Sequence, residues 1–213
     1  MRFRDRAEAG RHLAARLIEL RGEPDLLVLG LPRGGVVVAA AVAAELDAPL
    51  DVLVVRKVGY PGHEELAIGA VASGAVFVRN EELLARTGLD HEMISRREAR
   101  GLAEVDELER RLRHSRPAPD LHGQTVVLVD DGVATGATMK VAVVAARRGG
   151  ARRVVTAFPV GSPESVGELA EVADEVVCLT APAHFDAVGR YYRDFSPVEE
   201  RTVRALLVPS ADG

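Results

Sequence analysis

The chain is short of several things: it has one cysteine, few aromatic residues (4% of 213 positions), no surplus of positive charge and no apolar run long enough to cross a bilayer. Each shortage excludes something. A lone cysteine, Cys178, rules out an intrachain disulfide and any cysteine-cluster metal site; within EVVCLT it reads as a buried, inert thiol. A formal charge of -5 removes the usual electrostatic ground for sequence-independent binding of nucleic acid. The opening MRFRDRAEAG lacks the apolar stretch of a secretory signal, so a cytoplasmic location with no membrane partner is expected. Also missing are a GxGxxG after the first strand and a separate helix-turn-helix module. These gaps argue against a dinucleotide-binding oxidoreductase and a DNA-binding regulator.

What is present is alternation. Asp5 to Arg21 carries Leu13, Leu17, Ile18 and Leu20 at helical spacing, which predicts an N-terminal amphipathic helix. DLLVLG, LPRGG and VVVAAAVAAELD follow as strand, glycine turn and helix. LDVLVVRKV reads as a second strand, GYPGHEE as a mobile loop, and AIGAVASGAVFVR as two short strands around Ser73-Gly74. Asn80 to about Arg116 is charged and rich in helix formers, with its arginines on a solvated face. QTVVLVDD, MKVAVVAARRGG, RRVVTAFPV, a helix from Ser162-Pro163, and EVVCLT continue the pattern, and PSADG is expected to fray. The alternation predicts an α/β fold with a mainly parallel, doubly covered sheet. We divide the chain into a core over 1–180, with an N-terminal helix and a mid-chain helical insertion, and a C-terminal hood or tail over 181–213.

The chemistry concentrates in VVLVDDGVATGAT. An apolar strand delivers Asp130 and Asp131 to the carboxyl end of a sheet, where α/β proteins place ligands. The turn Ala134, Thr135, Gly136, Ala137, Thr138 then opens a helix, whose first amides and aligned dipole favour a phosphate. Carboxylates beside a phosphate cradle suit a ligand that also carries a diol or a hydrated divalent cation. A ribose 5-phosphate has both ends. Elsewhere, Arg33 with Gly34 and Gly35 opens another helix, a pattern that serves tight packing and ligand contact equally well. Arg56 and Lys57 end the second strand, where exposed cations are commonly only solubilising.

The segment VVLVDDGVATGAT resembles the signature of the type I phosphoribosyltransferases, and with LPRGG, RKVG, AIGAV and FDAVGRYYRDF nearly the whole chain resembles a bacterial group of stand-alone phosphoribosyltransferase-like proteins. The resemblance implies the type I phosphoribosyltransferase fold with a flexible β-loop and a small hood. It assigns Asp130 and Asp131 to the ribose hydroxyls and Ala134 to Thr138 to the 5-phosphate. Arg33, Gly34, Gly35, Arg56 and Lys57 fall to the pyrophosphate. It implies Mg2+ carried by the substrate near Asp130 and Asp131, with no metal ligand set of the protein's own. The partners implied are phosphoribosyl pyrophosphate and a small-molecule acceptor, with no nucleic acid, and a homodimer is compatible. RKVGYPG is similar to the adenine phosphoribosyltransferase pattern, in which a loop closes over the reaction; His63, Glu64 and Glu65 in that loop read as surface groups or as an acid or base.

Two positions depart from or narrow the pattern. Gly132 stands where the family has an apolar residue, and could loosen the turn. Ala134 replaces the aspartate of the 6-oxopurine branch, which disfavours hypoxanthine and guanine. Phe185, Tyr191, Tyr192 and Phe195 serve equally as a hood over a planar base or as ordinary packing. The expected activity is transfer of the phosphoribosyl group to a nitrogenous base or related acceptor with release of pyrophosphate. The alternative is a non-catalytic regulatory protein that binds phosphoribosyl pyrophosphate or nucleotides.

Overall fold

A computed structural model describes residues 2–208, apart from the side chains of Glu64 and Glu65. The expectation that PSADG frays lies outside the described residues, and so do the roles weighed for those two glutamates. The elements are α1 (Arg6–Arg16), β1 (Leu26–Gly30), α2 (Gly34–Leu46), β2 (Leu50–Val52), β3 (Val55–Tyr60), β4 (His63–Ala72), β5 (Val76–Arg79), α3 (Glu81–Thr87), α4 (His91–Leu112), β6 (Thr125–Val129), α5 (Ala137–Arg148), β7 (Arg153–Val160), α6 (Pro163–Ala170), β8 (Glu175–Thr180) and α7 (Glu200–Leu206).

The main sheet has the order β2-β1-β6-β7-β8 and every pairing in it is parallel. Its central strands β1 and β6 are buried at every position, and apolar but for Thr125, because both faces are covered. Alternation along β6 sorts the side chains: Val127 and Val129 pack with α1 and α2, whereas Val126 and Leu128 meet the layer containing Met139, Val143 and Leu169. β1 crosses through α2 to β2 on one side, and β6 crosses through α5 to β7 on the other. Strand order therefore reverses between β1 and β6, which leaves a crevice at their carboxyl ends.

The second predicted strand is two. After β2, the chain leaves the parallel sheet at Leu53-Val54 and β3 begins a separate antiparallel sheet, β3-β4-β5. A period-2 apolar run cannot show which sheet a strand joins, since both pairings bury the same residue types. The segment GYPGHEE, expected as a loop, is mostly strand: β3 runs through Tyr60, β4 starts at His63, and the turn is Pro61-Gly62, with Gly62 at φ 79°. The charged stretch is also divided. Gly88 closes α3 in the left-handed region, and the Asp90 side chain accepts from the Met93 amide to start α4.

Candidate functional site

The crevice between β1 and β6 brings together the two turns singled out in the sequence. Gly30 and Val129 are register partners, and the Leu31 amide donates to the Val129 carbonyl at 2.8 Å, so the segments that follow leave side by side. Gly34 and Gly35 then pass against the acids. A Cβ on Gly34 would lie 1.8 Å from Asp131 Oδ2, and one on Gly35 would lie 2.7 Å from the Val129 carbonyl oxygen and 2.9 Å from Asp130 Cα. These glycines are required by close approach. Arg33, at the head of α2, is exposed, and the Pro32–Arg33 peptide is cis.

Past the acids, Gly136 takes φ 71° and turns the chain into α5 at Ala137. The loop is pinned from behind. The Ser165 and Ser162 hydroxyls donate to the Ala134 carbonyl at 2.7 and 2.9 Å, and Ser162 also caps α6. Val133 is held between β7 and the following turn: its amide donates to the Val160 carbonyl, and its carbonyl accepts from the Ser162 amide. With its carbonyls thus engaged, the loop and the first turn of α5 form a pocket of about 150 Å³ bounded by Asp130, Val133, Thr135, Gly136 and Thr138. The unpaired amides of a helix start make such a pocket suited to an anion. Gly132 is explained by space, because its Cβ would meet Val188 Cγ1 at 2.4 Å. Val188 fills the volume an apolar side chain would otherwise take, so the glycine does not leave the turn loose.

Asp130 and Asp131 are neighbours with different surroundings. An Asp130 oxygen accepts from the Asp131 amide at 2.8 Å, whereas Asp131 Oδ2 is bound by Arg6 Nε at 2.7 Å. Burial and the adjacent Asp131 charge push the Asp130 carboxyl well above the usual aspartate range. Burial also raises Asp131, against the pull of the Arg6 guanidinium. Arg6 escaped the sequence reading: it stands 125 residues from Asp131 and carries no local signal beyond its place on a charged helix.

The two cations of β3 alternate with the pleat, yet both border a cleft of about 370 Å³ with Arg97 and Arg100. Lys57 lies on the side of α5 and shares a cleft of about 560 Å³ with Ala137, Thr138 and Lys140. Arg56 pairs with Glu104 of α4 at 3.0 Å. His63 is exposed at the hairpin end, with its ring 6.2 Å from that of Tyr60. Among the C-terminal aromatics, Tyr192 is packing: it is buried against Phe3, and its hydroxyl donates to the Asp131 carbonyl at 2.6 Å. Phe185 and Tyr191 stack on each other, partly exposed, at 6.0 Å.

The phosphoribosyl transferase domain model matches residues 3–195. Two Mycobacterium tuberculosis proteins, from strains CDC 1551 and H37Rv, are 48% identical over 205 residues, and their names assign them provisionally as phosphoribosyl transferases. The matches cover 96% of this chain and 46% of theirs, so the chain spans about half the length of these relatives. The crystal structure of TT1426 from Thermus thermophilus is 48% identical and superposes with a TM-score of 0.84, covering 97% of this chain and 98% of that one. More distant likeness of fold alone extends to an Aquifex aeolicus protein, AQ2163, at 13% identity, TM-score 0.51, and coverage of 84% of this chain and 74% of that one. With a matched domain that spans nearly its whole length, the chain belongs to the type I phosphoribosyltransferase family.

Proposed function

We propose that this chain binds the magnesium complex of phosphoribosyl pyrophosphate at the β1–β6 crevice and transfers the phosphoribosyl group to a nitrogenous base or related acceptor, releasing pyrophosphate. The observation that carries this reading is the juxtaposition of the Ala134–Thr138 pocket, the Asp130 carboxylate on its wall and the Gly34-Gly35 turn beside the acids. A phosphate, a diol and a second, more highly charged phosphate group match those features in turn. In this reading Thr135 to Thr138 hold the 5-phosphate, and Asp130 accepts from the ribose hydroxyls. Arg33 and Lys57 offer positive charge to the departing pyrophosphate.

Among the described residues, no three His, Cys, Asp or Glu side chains converge as a metal cage. The oxygen donors at the end of β6 nevertheless suit a hard cation that takes most of its ligands from the substrate and water. Such a cation would neutralise charge developing on pyrophosphate. No described helix is long and apolar enough to cross a membrane.

The test is calorimetric titration with magnesium phosphoribosyl pyrophosphate, followed by a pyrophosphate-release assay against a panel of bases that includes adenine. Binding with turnover on one base supports the transferase. Binding with no turnover on any base supports the non-catalytic regulator, and no binding rejects the site.

A further inference from the structure

The two acids at the end of β6 are unequal: Arg6 binds Asp131, whereas Asp130 accepts from a backbone amide. The Arg6 side chain is only 11% exposed and is held on three sides. Nε pairs with Asp131 Oδ2 at 2.7 Å, Nη1 donates to the Ser196 carbonyl at 2.9 Å, and Cζ lies over the Phe195 ring, 4.0 Å from its centre. The Tyr192 hydroxyl fixes the Asp131 main chain from the same side. Asp130 has no such partner: it accepts from a backbone amide and forms part of the wall of the phosphate-loop pocket, to which Asp131 does not contribute.

We propose that Arg6 is a positioning residue that withdraws Asp131 from the ligand, so that Asp130 alone offers its carboxylate to the sugar hydroxyls. This rests on the ligand reading given above and deepens it. The arrangement needs arginine. Only a planar, forked cation can stack on Phe195 while donating in two directions. It also needs Gly34, because a Cβ there would meet Asp131 Oδ2 at 1.8 Å and Arg6 Nε at 2.9 Å. The N-terminal helix, the C-terminal segment and the glycine turn thus converge on one carboxylate. Released from Arg6, that carboxylate would stand as a second negative charge beside Asp130 and repel an anionic sugar phosphate.

The experiment measures Kd for ribose 5-phosphate and for inorganic phosphate by calorimetry on wild type, Arg6→Gln, Arg6→Lys, Asp130→Asn and the charge-neutral pair Arg6→Gln with Asp131→Asn. Arg6→Gln should weaken ribose 5-phosphate about tenfold, Arg6→Lys should fall between it and wild type, and the neutral pair should recover to within about threefold. Asp130→Asn should stay weak for the sugar phosphate while binding inorganic phosphate at least as tightly as wild type, since it removes a negative charge from the pocket wall. An unchanged affinity in Arg6→Gln would show a merely structural pair and overturn the proposal. A neutral pair as weak as Asp130→Asn would overturn it too, by showing that Asp131 is itself a sugar ligand. If Arg6→Gln does not fold, the neutral pair alone decides between these outcomes. Wild type that binds inorganic phosphate no more weakly than ribose 5-phosphate would instead reject the sugar site, and with it the reading beneath.

Discussion

Gly34 and Asp131 are packed so closely that a single methyl group on Gly34 would fall 1.8 Å from the carboxylate oxygen. The backbone of one turn therefore rests on the acid of another, and the two halves of the proposed site are mechanically one. Gly34→Ala should cost about 1–3 kcal/mol of stability by overpacking. It should also weaken ligands of both halves, phosphate-bearing sugar and pyrophosphate alike. Chemical denaturation and calorimetry on the same preparation check the two parts.

Asp130 carries a pH signature. Because burial and Asp131 raise its folded pKa above the unfolded value, the folded protein holds a proton there more tightly than the unfolded chain does. Its contribution therefore favours folding at low pH and is lost as pH rises from the ordinary aspartate range through the raised folded value. Asp130→Asn removes that dependence, so the variant's gain in melting temperature over wild type should be larger at pH 8 than at pH 4. A constant gap across pH would place the proton elsewhere.

Away from the site, Arg113 is 4% exposed and ties the end of α4 to β2: Nε to Asp51 at 2.7 Å, Nη1 to Glu109 at 2.8 Å and Nη2 to the Val52 carbonyl at 2.7 Å. Ser73 completes the network by donating to Glu109. Replacing Arg113 with methionine leaves two carboxylates buried without their cation, a loss of about 3–5 kcal/mol. The network ties α4 to the turn between the two sheets, so limited proteolysis should cut near the β4–β5 turn first.

How much of this was legible depended on range along the chain. The phosphate loop was legible because its acids, glycines and threonines lie within one short segment, and the parallel sheet because β1 and β6 are almost wholly apolar. The Arg6–Asp131 pair was not, since its partners are brought together by α1 packing against α2 and no pattern within α1 reports it. The break between β2 and β3 was hidden too. Leu53 and Val54 stay buried as the chain changes sheets, so hydrophobicity runs on through the break.

The loop is supported from α6, and this can be tested apart from the acids. Ser165 is 2% exposed, and its hydroxyl donates to the Ala134 carbonyl. Ser165→Ala removes one of two donors and should cost about 1 kcal/mol. Ser162 remains, so inorganic phosphate affinity should drop only a few-fold; replacing both serines should remove most of it. Equal affinity in the double variant would show that the loop holds its shape without them.

Arg56 and Lys57 offer the sharpest separation, because adjacent residues of a strand point to opposite faces of its sheet. Val55 and Lys57 belong to the face that meets α5, whereas Arg56 and Val58 face α4, where Arg56 reaches Glu104 at 3.0 Å and Val58 joins Val105 in the core. Both side chains nevertheless border one cleft of about 370 Å³ together with Arg97 and Arg100, so their roles are told apart by substitution. Lys57→Gln should weaken pyrophosphate binding about tenfold, the loss of one charge-assisted contact. Arg56→Gln should change it less, by about twofold, since Arg56 is already engaged with Glu104. Equal losses in the two variants would mean that both cations reach the ligand through the cleft they share. A solution structure with pyrophosphate bound would then show Arg56 separated from Glu104.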